Sequence, residues 1–240
     1  MDKYAKAYAK TIGIEEKDVK NLSQSDRYVL YKTGKVLWVN HGMGGPSFSI
    51  MIVEIFKLIH YAGAQDVTFF RLGTSGGVGV DPGTVVITST PISGELKEEH
   101  VQWIAGKKVV RQTHLDKKLH DALLALGQTE GLPVKSGKTL STDDFYEGQM
   151  RLDGFFGSSY TKEDKLAFLK QLQGMGVVNI EMESTAFASF TARAGVRAAV
   201  VCVTILNRLN GDQVDETYKT YEHNPFALVT KYIKQQLEKP

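Results

Sequence analysis

The run VRAAVVCVTIL, residues 196–206, constrains the fold more than any other part of this chain. It is apolar at consecutive positions, not at alternate ones. A short run of that kind suits a strand covered on both faces. VTFFRLG at 67–73, TVVITS at 84–89 and VVNIEME at 177–183 read as further strands, and VKSGKTLST as an extended stretch. Helical patterns lie among them: KKLHDALLAL, KEDKLAFLKQLQGMG with a glycine stop, STAFASFTARAG, and NPFALVTKYIKQQLEK at 224–239. Strands that alternate with helices predict an α/β fold with a central mixed, mainly parallel sheet and helices on both faces, a three-layer α/β/α arrangement. No repeat, low-complexity tract or linker divides the sequence, so residues 1–240 are expected to form a single domain.

The first quarter of the chain is less typical of that class. Tyr4, Tyr8 and Ile12 recur at helical spacing, so the chain opens on a helix. RYVLYK (27–32) and KVLWVN (35–40) read as two strands joined by a tight hairpin at Thr33-Gly34. The glycine-rich turn HGMGGPS follows at 41–47. Pro46 suits the opening position of a helix, which runs to about Ala62 and stops at Gly63.

Charge excludes some functions. Twenty-nine basic and 27 acidic residues leave a formal net charge of +2. No global field draws such a chain to nucleic acid or to a membrane surface, so an anion site must be local. The N-terminus lacks the apolar stretch of a signal peptide. The longest apolar runs fall short of the roughly 20 residues that span a bilayer. The expected location is the cytosol. Cys202 is the one cysteine and sits inside an apolar run, as a buried structural thiol does. The six histidines are scattered without ligand spacing, and no metal or other cofactor is expected. His41 stands beside a glycine turn and reads as structural or site-adjacent.

Three segments are suited to chemistry. In RLGTSGG (71–77), a strand ends in Arg71 and TSGGVGVDPG follows, which reads as a loop. Glycines turn backbone N–H groups toward one point, Thr74 and Ser75 add hydroxyls, and Arg71 adds a charged fork. Together they suit an anion at the carboxyl end of a strand. A purely structural glycine turn is the alternative. Neither the Walker pattern nor the dinucleotide-binding pattern is present. In DDFYEGQMRLDG (143–154), Phe145, Gln149 and Arg151 lie close together. The amide offers a donor and an acceptor and the guanidinium offers donors only, which matches the edge of uracil. Phe145 is placed to pack on the ring. A solvated polar loop is the alternative. In NIEMES (179–184), Glu181 and Glu183 flank Met182 at a strand end. Paired acceptors suit vicinal ribose hydroxyls, with the thioether against the sugar. One glutamate capping the next helix is the alternative, and both readings can hold, one for each glutamate.

RxGTSGG, DFYEGQxRxDG, NIEMES and VTxxNRxxGDQ occur in this order, and the set resembles the nucleoside phosphorylase superfamily, specifically the animal-type uridine phosphorylase family. The resemblance runs from about Arg27 to the C-terminus. It implies the superfamily's α/β/α fold and reversible phosphorolysis of uridine, and of deoxyuridine, to uracil and the sugar 1-phosphate, with phosphate as co-substrate. It also implies roles. Arg71 and Thr74 hold phosphate, and Gly76 lines the pocket. Phe145, Gln149 and Arg151 hold uracil, with Arg208 near the base. Glu181, Met182 and Glu183 hold the ribose, and Arg71, Gln149 and Arg151 carry the chemistry. Arg27 matches an arginine that reaches the phosphate of a neighbouring subunit, so a homodimer with shared active sites is implied. Against the family pattern, the sequence starts past the first strand and its glycine–arginine loop, which implies an incomplete phosphate cradle. Two alternatives stay open: a weak or inactive paralogue that still binds nucleoside, and a phosphorylase with another nucleoside preference.

Overall fold

The computed structural model describes residues 1–156 and 159–238. Its contacts gather into two units, Met1–Ala62 and Gly63–Pro240.

The first unit holds α1 (Asp2–Thr11), the hairpin of β1 (Val29–Thr33) and β2 (Val36–Asn40), and α2 (Gly45–Tyr61). The helical spacing of Tyr4 and Tyr8 is realised: Tyr8 is buried and its ring lies 5.5 Å from that of Trp38. The Trp38 indole donates to Thr33 Oγ1 at 2.7 Å, which satisfies its N–H in the core. The hairpin turn falls one residue later than expected. Thr33 pairs with Val36, so Gly34 and Lys35 form the loop, with Gly34 at φ 57°. A type II′ turn wants positive φ at its first loop position alone, and Gly34 supplies it. Pro46 opens α2 and Gly63 follows its end, as the sequence indicated.

The second unit is the α/β body. Its strands are β3 (Thr68–Gly77), β4 (Val85–Ile92), β5 (Glu99–Ile104), β6 (Lys107–Gln112), β7 (Val134–Ser141), β8 (Val177–Glu181) and β9 (Arg197–Asn207). Its helices are α3 (Lys117–Thr129), α4 (Lys162–Gly174), α5 (Ser184–Arg193) and α6 (Asn224–Leu237). Residue 239, the end of the last expected helix, lies outside the described residues. The central sheet is mixed and mainly parallel: β3–β9, β4–β7 and β7–β8 run parallel, while β3–β8 and β4–β9 run antiparallel. It curls until β9 meets β3, closing a barrel in the order β3-β8-β7-β4-β9. β5 and β6 form a separate antiparallel hairpin, which the sequence pattern does not signal.

Two apolar clusters fix helices to this sheet. Leu119, Leu123 and Leu126 of α3 and Leu228 and Val229 of α6 pack on Val85, Ile87, Ala199 and Val201. Leu169 and Leu172 of α4 pack on Ile92, Leu140, Val177 and Ile180. The same strands carry polar side chains that form a relay around the barrel. Thr88 joins Thr139 at 2.7 Å, Thr139 donates to Asn179 at 2.7 Å, Asn179 donates to Ser75 at 3.0 Å, and Ser75 donates to the Val203 carbonyl at 3.2 Å. Because Thr139 gives its proton to Asn179, Thr88 is the donor of the first bond. The relay takes one residue from each of β4, β7, β8, β3 and β9, in their order around the barrel.

This corrects one expectation. TSGG, the first part of the expected loop, continues the strand up to Gly77, with a bulge between Ser75 and Gly76. Its backbone groups join the ladder with β9, and Ser75 points inward to the relay, so Ser75 is not an anion donor. Thr74, its neighbour on the alternating strand, is exposed.

Candidate active site

β7 and β8 end side by side at one rim of the barrel, and β3 and β9 run past them in the opposite direction. Gly77 pairs with both Asn179 and Asn207, and Ser141 pairs with Glu181. Open α/β sheets place ligands at such ends, and the residues singled out from the sequence of this unit gather there in two clusters.

Arg71, Glu181 and Glu183 form the first. The Arg71 guanidinium lies 2.6 Å from Glu181 and also meets Glu183. Its side chain runs over Gly73, where a Cβ would collide with it, so only glycine lets the arginine lie flat along its own strand. Burial pulls the Arg71 pKa down, but Glu181 and then Glu183 outweigh it and hold the guanidinium above its ordinary value. The neighbouring Cys202 is pushed up to about 12, chiefly by burial, so it is a neutral thiol.

The two glutamates divide as the sequence allowed. β8 ends at Glu181, so Glu183 lies beyond the strand and the expected common direction does not come from strand alternation. Glu181 caps α5: it accepts from the backbone N–H of Glu183 at 2.9 Å, from the N–H of Ser184 at 3.0 Å and from the Ser184 hydroxyl at 2.5 Å. A carboxylate at a helix N-terminus is stabilised by the orphan N–H groups there. Glu183 makes no side-chain capping bond to that helix, although it stands at the N-cap position. Met182, between them, is half-buried.

The second cluster surrounds Gln149, which is buried at 4% exposure on a short 3-10 turn, Glu147–Gln149. Arg208, at 1% exposure, donates from Nη1 to Gln149 Oε1 at 3.1 Å and from Nη2 to the Gln149 carbonyl at 2.5 Å. Gly76 makes room for it: a Cβ there would stand 3.0 Å from Arg208 Cδ. Gly76 therefore acts here by seating Arg208. Arg208 Nε lies 2.6 Å from Asp212, which also pairs with the buried Lys165. Burial lowers the Arg208 pKa and Asp212 opposes that shift. Arg151 reaches the Asp212 carbonyl at 3.4 Å and lies 3.7 Å from Asp153. The sequence placed a nucleobase on Phe145. The structure puts the Arg151 guanidinium over that ring, 4.0 Å from its centre, because a cation is drawn to the negative π face.

Thr142 links the clusters. Its hydroxyl accepts from Gln149 Nε2 at 3.2 Å, and its N–H donates to the Glu181 carbonyl at 2.9 Å. Thr142, Lys165 and Asp212 were missed as site residues. Asp212 belongs to the GDQ of the NRxxGDQ motif, four residues past Arg208. Nothing in the pattern of α4 marks Lys165. Arg27 belongs to the first unit, where it is exposed. Among the described residues, no group of three or more His, Cys, Asp or Glu is placed to hold a metal ion, and no helix is long and apolar enough to cross a membrane.

A family model described as the phosphorylase superfamily matches residues 1–234. The chain is 58% identical over 236 residues to the "Uridine and thymidine phosphorylase" of Caenorhabditis elegans, covering 97% of this chain and 79% of the relative. It is 41% identical over 222 residues to the "Inactive uridine phosphorylase B" of Schistosoma mansoni, covering 90% and 75%. A crystal structure of Schistosoma mansoni uridine phosphorylase in complex with uracil superposes with a TM-score of 0.91 at 42% identity, covering 97% of this chain and 82% of the other. The nucleoside phosphorylase-like α/β fold expected from the motifs is therefore the one formed. A match over nearly the whole chain, joined to that fold, places this chain in the phosphorylase superfamily, among the uridine phosphorylases.

Proposed function

We propose that this chain catalyses the reversible phosphorolysis of uridine and deoxyuridine, giving uracil and the sugar 1-phosphate. The observation that carries the reading is a charge asymmetry across one barrel rim. The first cluster sets one guanidinium against two carboxylates, Glu181 and Glu183. The second gathers three cations, Lys165, Arg151 and Arg208, around Asp212 and Asp153. In phosphorolysis a phosphate oxygen attacks the anomeric carbon as the C1′–N1 bond breaks, and the bonding pair leaves with the base. The sugar becomes cationic and uracil becomes anionic. A rim negative beside the sugar and positive beside the base stabilises both charges more in the transition state than in the substrate.

In this reading Gln149 and Arg151 hold the uracil edge, with Arg208 behind them. Glu183 takes the ribose hydroxyls beside Met182, and Arg71 and Thr74 take phosphate. Phosphate is the co-substrate, and no metal or organic cofactor enters the chemistry. By the family resemblance, the working form is a cytosolic homodimer in which Arg27 serves the neighbouring subunit's phosphate. The name of the nematode relative extends the candidate substrates to thymidine. The test is a phosphorolysis assay on the purified chain with uridine, thymidine and inosine, each with and without phosphate. The expected result is phosphate-dependent release of uracil and none of hypoxanthine. Release of hypoxanthine at a comparable rate would overturn the base assignment.

A second reading, a nucleoside-binding chain without turnover, draws on two observations. Arg71 is engaged by both glutamates, and a relative named as inactive is 41% identical. Uracil binding without phosphorolysis in the same assay would establish it.

A further inference from the structure

Lys165 comes from α4, yet it is only 5% exposed, and its ammonium meets Asp212 Oδ2. The other carboxylate oxygen, Oδ1, lies 2.6 Å from Arg208 Nε. A buried lysine is costly unless its partner and setting compensate, so its place behind the base cluster calls for a physical account. The carboxylate lies against one corner of the guanidinium plane as an ion pair, and the two remaining nitrogens both face Gln149.

That contact decides which way the amide points. A guanidinium only donates, so the amide atom facing Arg208 Nη1 is the oxygen. The amide nitrogen then faces Thr142, whose hydroxyl gives its own proton to the Asp144 carbonyl at 2.9 Å and is left to accept. Both ends of the Gln149 side chain are therefore set. An amide reads a pyrimidine edge in either of two senses. With one, its oxygen accepts the N3–H of uracil and its N–H donates to an adjacent carbonyl. Turned over, its N–H donates to the bare N3 of cytosine and its oxygen accepts from the amino group. An amide free to turn fits both bases, whereas a locked one fits one and leaves the other with opposed donors.

We propose that Asp212, braced by Lys165, is a specificity-positioning residue: by clamping Arg208 it locks the sense of the Gln149 amide and makes the pocket choose uracil over cytosine. The inference rests on the uracil-site reading above. It also explains why Asp212 accepts from Arg151 through its carbonyl, since both base-facing side chains then take their positions from one residue.

The experiment measures dissociation constants for uracil and cytosine by calorimetry, with inorganic phosphate present, on the full chain and on Asp212→Asn, Lys165→Met and Lys165→Arg. The unmodified chain is expected to prefer uracil. In Asp212→Asn and Lys165→Met the preference should shrink by about tenfold or more, because a site built to pair a polar group rejects the wrong one most strongly while its own groups are fixed. Lys165→Arg should restore most of it. The ratio is the informative readout, since partial unfolding removes sites for both bases equally. If Asp212→Asn proves too unstable to purify, Lys165→Met carries the test, as it leaves Asp212 paired with Arg208. A wild-type ratio in the folded variants would overturn the proposal and leave the pair as part of the fold alone. No preference in the unmodified chain would overturn the uracil-site reading itself, and this inference with it.

Discussion

The two charge clusters at the barrel rim are built in different ways. Around Arg71, a single cation serves two carboxylates, and one of these, Glu181, is already occupied with the first turn of α5. Around Gln149, the charges stand in a row, Lys165 to Asp212 to Arg208, and the row ends on a neutral amide. The first cluster sets a field, and the second sets an orientation. A field tolerates small displacements, because charge–charge energy falls off gradually with distance. An orientation does not, because a hydrogen bond weakens steeply once its angle is lost. Substitutions on the sugar side should therefore show as graded changes in affinity, and those on the base side as losses of turnover or of discrimination.

The largest expected effect tests the base side. Arg151→Ala should lower turnover on uridine by on the order of 100-fold or more, as when a preorganised donor is removed from an anionic transition state. Turnover within a few-fold of wild type, measured by initial rates at saturating uridine, would leave the positive cluster without a catalytic part. Next comes Glu183→Gln, which keeps shape and removes charge. It should weaken nucleoside binding by roughly tenfold, the loss of one charge-assisted hydrogen bond, with little change in melting temperature. A large fall in melting temperature with normal binding would make Glu183 structural instead.

Glu181→Gln should do the reverse, and so it sharpens the contrast within one motif. Two backbone N–H groups and the Ser184 hydroxyl depend on that carboxylate. Disturbing them should cost about 1–3 kcal/mol of stability, read as a lowered urea midpoint. An unchanged midpoint would remove Glu181 from its capping role. The smallest effect belongs to Cys202. With its pKa pushed up to about 12 by burial, the thiol stays protonated and unreactive in the folded chain at pH 8. Mass spectrometry after alkylation should find it unlabelled until denaturant is added, and rapid labelling of the native chain would contradict that burial.

The sequence made the rim legible where chemistry and spacing coincided. Gln149 and Arg151 could be paired as an edge reader because amide and guanidinium lie two apart, and the strand VVNIE pointed Glu181 at the sheet end. The reading failed where glycine was taken as punctuation. In RLGTSGG, Gly73 and Gly76 do not break the strand. They clear space for Arg71 and Arg208, and a strand can carry glycines for close approach as easily as a loop can for turning. The β5–β6 hairpin escaped because its strands mix exposed Trp103 and Val110 with charged residues and lack a buried stripe. Lys165 was out of reach for a simpler reason. On an amphipathic helix a lysine is ordinarily solvated, and only the return of residue 212 to its side shows otherwise.

The ring of hydroxyls and amides inside the barrel has a consequence for assembly. Four strands each supply one hydrogen-bonding side chain, and each hands its proton to the next until the Val203 backbone carbonyl of β9, which can only receive. The ring behaves as a parity check. Slide β8 by one position and Asn179 gives way to Val178 or Ile180, leaving Thr139 without an acceptor and Ser75 without its donor. An apolar interior would accept many of those slips at little penalty, whereas here a wrong alignment strands buried polar groups at once. The strand ends that carry Glu181, Arg208 and the turn to Gln149 are thereby held to one mutual alignment by residues buried inside the barrel.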